Sequence, residues 1–179
     1  MRRILHSLVI AVVVATGQPV NASIPGGDQV ACDTVTGGGW ILGAGTSSVA
    51  AGAKANFGVG GGVKNGAFWG HLEYNDHSTS PPMQVHGTGV TGYFLGTGDP
   101  NERVITGTAE VNGVPGFTYK VEVIDSAEPG RGVDAFSISL DNGYASGFEY
   151  GDGPIAGGNI QLHKPNPSNT PPPGFTCPP

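Results

Sequence analysis

The chain has 179 residues, among them 32 glycines, 15 prolines and two cysteines, with a formal net charge of −6. That acidic balance excludes the basic surface that nucleic acid and anionic membranes require. Only 12% of residues are charged and 37% are hydrophobic, which suits one domain of ordinary size with a core of its own.

The chain opens with Arg2 and Arg3, an apolar run over residues 4–15, and the small residues Val20-Asn21-Ala22. These are the three parts of a secretory signal peptide, with cleavage expected after Ala22 and a lead-in over residues 23–33. The apolar run is shorter than the roughly 20 residues that cross a bilayer, and no second run follows, so no membrane span is expected after signal removal. Losing Arg2 and Arg3 with no acidic residue takes the formal charge from −6 to −8. Cys32 lies too far past the apolar run to be a lipoprotein cysteine. The protein is therefore expected to be secreted, extracellular or periplasmic. An even cysteine count in that setting predicts one bridge, Cys32 to Cys177, with free thiols or a bond to a second chain as the alternatives.

From Thr34 onward the pattern is all-β. Candidate strands are residues 35–42, 53–63, 67–75, 83–95, 104–111, 117–125, 134–140, 144–150 and 156–163. The clearest is 117–125, where Phe117, Tyr119, Val121 and Val123 alternate with Thr118, Lys120 and Glu122, the two-residue period of a strand with one buried face. Phe136, Ile138 and Leu140 repeat it against Ser137 and Ser139. Asn-Gly pairs at 65–66, 112–113 and 142–143 fall between runs and suit type I′ hairpin turns. Gly58, Gly60, Gly61 and Gly62, with Gly87, Gly89 and Gly92, weaken their strands and mark bends or bulges, where aromatic neighbours such as Trp69 and Tyr93 lie across bare backbone. Together these predict a single antiparallel β-barrel or barrel-like sandwich over residues 34–163, a meander of about eight strands. Closure is favoured because it removes exposed edges. Residues 164–179 (KPNPSNTPPPGFTCPP) read as an extended, solvated proline-rich tail.

The chemistry is less explicit. Asp76 and His77 lie in a loop, with His86 early in the next strand; these side chains suit a zinc or acid–base site, yet the spacing fits no zinc signature and turn capping explains them equally. Asp125, Glu128, Asp134 and Asp141 gather around two turns, as calcium ligands do, but Arg131 among them makes a loop salt bridge the simpler expectation. No GxSxG elbow or Walker spacing is present. Glu73, Glu110, Glu122 and Glu149 give no identifiable facing pair for glycoside cleavage. Trp40, Trp69, Tyr74, Tyr93, Tyr144 and Tyr150 could stack on sugars if exposed, although burial is the expectation for Trp40. No catalytic residue, metal or cofactor is expected.

Several phrases occur in one order: GGGWI at 37–41, KANFG at 54–58, HLEYNDH at 71–77, VH at 85–86, GTAEVNGVPGF at 107–117, EPGRG at 128–132, DAFSISL at 134–140 and GGNIQLH at 157–163. Together they resemble the post-COAP domain family of exported bacterial proteins, often found beside a choice-of-anchor P region. The resemblance implies a secreted, all-β bacterial domain and no functional residue set; this chain shows neither an upstream choice-of-anchor region nor a sorting signal. The expectation is a non-enzymatic interaction or cell-envelope module, whose partner is a protein or glycan at the cell surface. Its working surface is expected at loops on one end, around Asp76, His77, His86 and Arg131. The rivals are a carbohydrate-binding or carbohydrate-active domain and a small apolar ligand carrier using the barrel interior.

Overall fold

A computed structural model describes residues 29–178. The expected signal peptide, its cleavage site after Ala22 and most of the lead-in lie outside the described residues. Nine strands follow one another: β1 (Thr34–Leu42), β2 (Lys54–Lys64), β3 (Ala67–Asp76), β4 (Met83–Leu95), β5 (Glu102–Val111), β6 (Val114–Ile124), β7 (Ala135–Leu140), β8 (Ala145–Gly147) and β9 (Gly157–His163). All pairings are antiparallel within one sheet of order β8-β7-β6-β5-β4-β3-β2-β1-β9. Eight strands thus form the expected meander, and β9 returns to the free side of β1.

The sheet curls into a half barrel of nine strands, which corrects the expectation of a closed barrel of about eight. Its two ends, β8 and β9, share no strand ladder. The reason is local: β8 has three residues and stops at Gly147, whose φ of 106° leads into a 3-10 turn over Phe148–Tyr150. Side chains of the β6–β7 loop cover the seam instead. Asp134 Oδ2 accepts the Ile160 N–H at 2.8 Å, and Asp125 Oδ2 accepts the Leu162 N–H at 2.8 Å. Asn159 Oδ1 accepts the Gly130 N–H at 2.6 Å. Two donors of β9, the N–H groups of Ile160 and Leu162, are therefore met without another strand.

Tight turns and bulges set the register. Asn65 and Gly66 have φ of 50° and 80°, and Asn112 and Gly113 have 52° and 77°, the two left-handed residues of a type I′ turn. At the third pair only Gly143 is left-handed, and Asn142 Oδ1 accepts the Tyr144 N–H at 3.0 Å. β4 shifts register against β5 between Gly87 and Gly89 and again between Val90 and Gly92. β2 holds continuous register with both neighbours, so Gly60, Gly61 and Gly62 serve close packing and not bulges. A Cβ at Gly62 would sit 3.0 Å from Trp69 Nε1, and one at Gly61 would sit 3.1 Å from Tyr93 Cδ2.

Inward residues fill the concave face. Phe57 stacks on Phe136 with centroids 4.0 Å apart, and Tyr74 lies 6.0 Å from Phe136 on another side. Ile41, Leu72, Ile105, Ile138 and Ile160 complete the packing without exposed surface beyond 1%. Each such side chain contributes about 1.5–3 kcal/mol on burial.

The lead-in and the tail close one end. Val30 bridges to Phe94, and the Ala31 N–H donates to the Tyr93 carbonyl at 3.2 Å. The tail docks on the β2–β3 turn through Ser168 and Asn169, while most of its residues stay exposed, as expected of a solvated segment. Asn169 Nδ2 donates to the Val63 carbonyl at 2.8 Å, and the Asn65 N–H donates to the Ser168 carbonyl at 2.9 Å. Phe175 lies 5.6 Å from Phe68 and 6.5 Å from Phe94, over a second apolar cluster of Val30, Cys32, Val63, Phe94 and Val104. Cys32 and Cys177 form the expected disulfide within one chain.

Candidate functional site

Asp76 ends β3 and is 1% exposed. Its Oδ1 accepts the Ser78 N–H at 2.7 Å and the Ser78 hydroxyl, and its Oδ2 accepts the Tyr144 hydroxyl at 2.9 Å. The chain of hydroxyls continues from Tyr144 to Tyr74 at 2.8 Å and from Tyr74 to Ser146 at 2.6 Å. Burial pushes the Tyr74 phenol up to about 12, and burial with the nearby Tyr74 pushes Tyr144 higher still. Asp76 is thus committed to the interior. His77 is exposed, with Nε2 3.1 Å from Asn56 Oδ1. His86 is exposed on β4 and meets Glu73 Oε1 at 2.5 Å across the β3–β4 pair. A surface pair of this kind contributes little to stability.

Arg131 is exposed in the β6–β7 loop. Successive strands of the meander alternate in direction, so the β3–β4 and β6–β7 loops emerge at opposite ends of the sheet. The structure brings Asp76, His77 and His86 to one half and leaves Arg131 at the other.

The acid cluster separates in the same way. Asp134, fully buried, accepts the Ser126 N–H at 3.0 Å, the Ala127 N–H at 3.4 Å and the Ile160 N–H at 2.8 Å. Glu128 accepts from Asn159 Nδ2 at 3.0 Å, and Asp141 Oδ2 accepts the Thr118 N–H at 3.1 Å and its hydroxyl at 3.0 Å. The expected salt bridge to Arg131 is replaced by these bonds, because fixed backbone donors satisfy a carboxylate without ordering a long side chain. Among the described residues the ion pairs are His86–Glu73, Arg103–Asp33 and Lys120–Glu122.

Two polar centres were not legible in the sequence. Asp33 accepts the Tyr93 hydroxyl at 2.7 Å and Arg103 Nε at 3.1 Å, linking residues 70 positions apart. Burial alone would lower the Arg103 guanidinium, but its bonds to Asp33 outweigh that and hold it above its ordinary value. This pair lies beside the disulfide on a cavity of about 390 Å³ reached also by Leu95, Asn169 and Cys177. Asp152 is the other: it accepts the Ala44 N–H at 2.9 Å and the Gly147 N–H at 2.7 Å. No local motif announces either, since Tyr93 and Arg103 lie 60 and 70 residues from Asp33 and Ala44 lies 108 residues from Asp152.

The outer face of β4 to β7 carries an open groove of about 340 Å³. Thr91, Thr106, Thr108, Thr118 and Ser139 give it hydroxyls, and Lys120 and Asp141 give it charge. Lys120 Nζ is 2.9 Å from Glu122 Oε1. Burial would lower the Lys120 ammonium, and Glu122 outweighs it and raises it. Tyr119 lies beneath with a buried hydroxyl that has no partner among the described residues, and burial pushes this phenol up to about 12.

Of the aromatic residues singled out for stacking, Tyr74 and Tyr93 are fully buried. Trp40, expected to be buried, is half-buried on the outer face, with Lys54 Nζ 4.3 Å above its ring. Neither cavity described above is lined by either tryptophan. What fold and site define is a disulfide-latched, all-β half barrel with a hydroxyl-lined outer groove. Comparison with protein families, with characterised proteins and with solved structures finds no match.

Proposed function

We propose that the protein is a secreted, non-enzymatic bacterial β-domain, an interaction or cell-envelope module of the kind that the post-COAP resemblance implies. One observation carries this reading: the buried carboxylates, the groups best suited to chemistry, are spent on structure. The buried Asp76, Glu102, Asp134 and Asp152 are engaged by hydroxyls or backbone N–H groups, and the part-buried Asp33 by the Arg103 guanidinium. The Cys32–Cys177 bond suits an oxidising compartment. The filled concave face argues against the carrier reading, which needs an interior cavity. The absence of tryptophan from both grooves argues against an aromatic stacking cleft, so a glycan reading must rest on other groups.

The test has two arms. The leader-bearing chain expressed in a bacterial host should yield an exported protein that begins at Ser23 with its cysteines oxidised; retention in the cytoplasm with an intact N-terminus overturns the export reading. The mature protein is then incubated with soluble glycans, peptidoglycan fragments and envelope proteins. A ligand at a hundred times its Kd adds about 2.7 kcal/mol, which raises the melting temperature by about 5 to 10 °C in a domain of this size. The ligand should be recovered intact, whereas turnover of any panel member would make the protein an enzyme.

A further inference from the structure

The strand β4 carries two bulges three residues apart, and the extra residues are Thr88 and Thr91. Bulges re-aim side chains, and they do so here toward β5. Thr88 Oγ1 meets Thr108 Oγ1 at 2.9 Å, and Thr91 Oγ1 meets Thr106 Oγ1 at 3.2 Å. Glycine next to the second bulge residue keeps the space open, whereas a side chain at Gly89 would make only ordinary contact. A Cβ at Gly89 would stand 3.4 Å from Thr108 Oγ1, and one at Gly92 would stand 2.6 Å from Thr106 Oγ1. The result is a pair of hydroxyl rungs beside Thr118 and Ser139 of the neighbouring strands; Thr91, Thr106, Thr108, Thr118 and Ser139 border one groove, and Thr88 holds Thr108 from outside its lining.

We infer that this groove is the binding site of a neutral, polyhydroxylated ligand of one or two sugar rings. The inference rests on the binding-module reading and names its ligand class. Hydroxyls donate and accept, so a row of them matches a ligand whose groups do the same. Threonine is stiff at χ1 and the rungs are held by mutual hydrogen bonds, so little ordering is left to be lost on binding. Charge selects the same class. The Lys120 ammonium is matched by Glu122, while Asp141 uses only Oδ2 internally and leaves Oδ1 to accept a ligand hydroxyl and repel anions. The volume of about 340 Å³ lies at the small end of ligand pockets.

The test is calorimetric titration of the mature, oxidised protein with glucose, N-acetylglucosamine and their β-1,4-linked dimers. At least one should bind, and Thr106→Val with Thr108→Val should weaken it by about tenfold or more. Valine keeps the branched shape, so the unliganded melting temperature should hold. Ser139→Ala provides an independent second variant, and Thr36→Val on β1 is the control. Binding unchanged in both groove variants overturns the assignment of the site and leaves the module reading standing. No binding by any of the four sugars overturns the inference as well. Hydrolysis of a dimer overturns the module reading itself.

Discussion

Asp134 has no exposed surface, and among the described residues no cation pairs with it; three backbone N–H groups from two segments converge on it. Removing it leaves the buried Ile160 N–H unmet and releases the N–H groups of Ser126 and Ala127 in the exposed loop. Asp134→Ala should cost about 3 kcal/mol, since hydrogen bonds to a charged group are worth about 1.5–3 kcal/mol each, while Arg131→Ala in the same loop should stay within about 0.5 kcal/mol. Urea titration of both variants decides it, and equal costs would show that Asp134 does not hold the seam. The phenols give a pH signature. Tyr74 titrates near 10 in the unfolded chain and at about 12 in the fold. A raised phenol favours the protonated folded state, so its stability is whole below pH 10 and is lost as pH climbs through 12. Unfolding free energy measured from pH 8 to 12 should fall over the upper part of that range, and fall less steeply in Tyr74→Phe; a flat profile would contradict the burial argument. At this scale the sequence reads poorly. Asp76 reads as a loop acid that caps a turn or faces water and Asp134 as a member of a loop ion pair; the Ser78 N–H on Asp76 bears out the cap, and only partners from distant segments show that both are buried.

Strands were far more legible, because side-chain alternation is local. Tyr119, Val121 and Val123 face inward on β6 as their spacing predicts, and Lys120 and Glu122 face outward. What alternation could not give is where the ladder ends: three residues in β8 and a left-handed Gly147 are tertiary outcomes. Glycines show the same division. Gly39 and Gly58 are both mid-strand, yet a Cβ on Gly39 would overlap the Gly157 carbonyl across the β1–β9 pair, and one on Gly58 meets no heavy atom within 4 Å. Gly39→Ala should therefore cost about 2 kcal/mol through overpacking. Gly58→Ala should be neutral or stabilise by about 0.5 kcal/mol, by restricting the unfolded chain. Chemical denaturation of the two variants separates the reasons, and equal effects would mean that strand entropy and not close approach governs these positions.

For the whole molecule, the disulfide closes a loop with a sequence separation of 145. Chain entropy for such a loop is about 5 kcal/mol. Cys32→Ser with Cys177→Ser should lower the melting temperature by about 10 to 20 °C at the usual 2–4 °C per kcal/mol for domains of this size. A fall of under about 3 °C would mean that the docked tail and lead-in already restrict the reduced chain. Two cysteines in a chain expected to be secreted made this bond readable in advance, whereas the tail's docking through Asn169 and Phe175 was hidden by its proline content. The bond also has a mechanical meaning. Cys32 precedes β1 and Cys177 follows β9, so tension applied outside the two cysteines runs through one covalent link. The strand ladders between them carry none of that pull, and the oxidised domain would transmit it without lengthening.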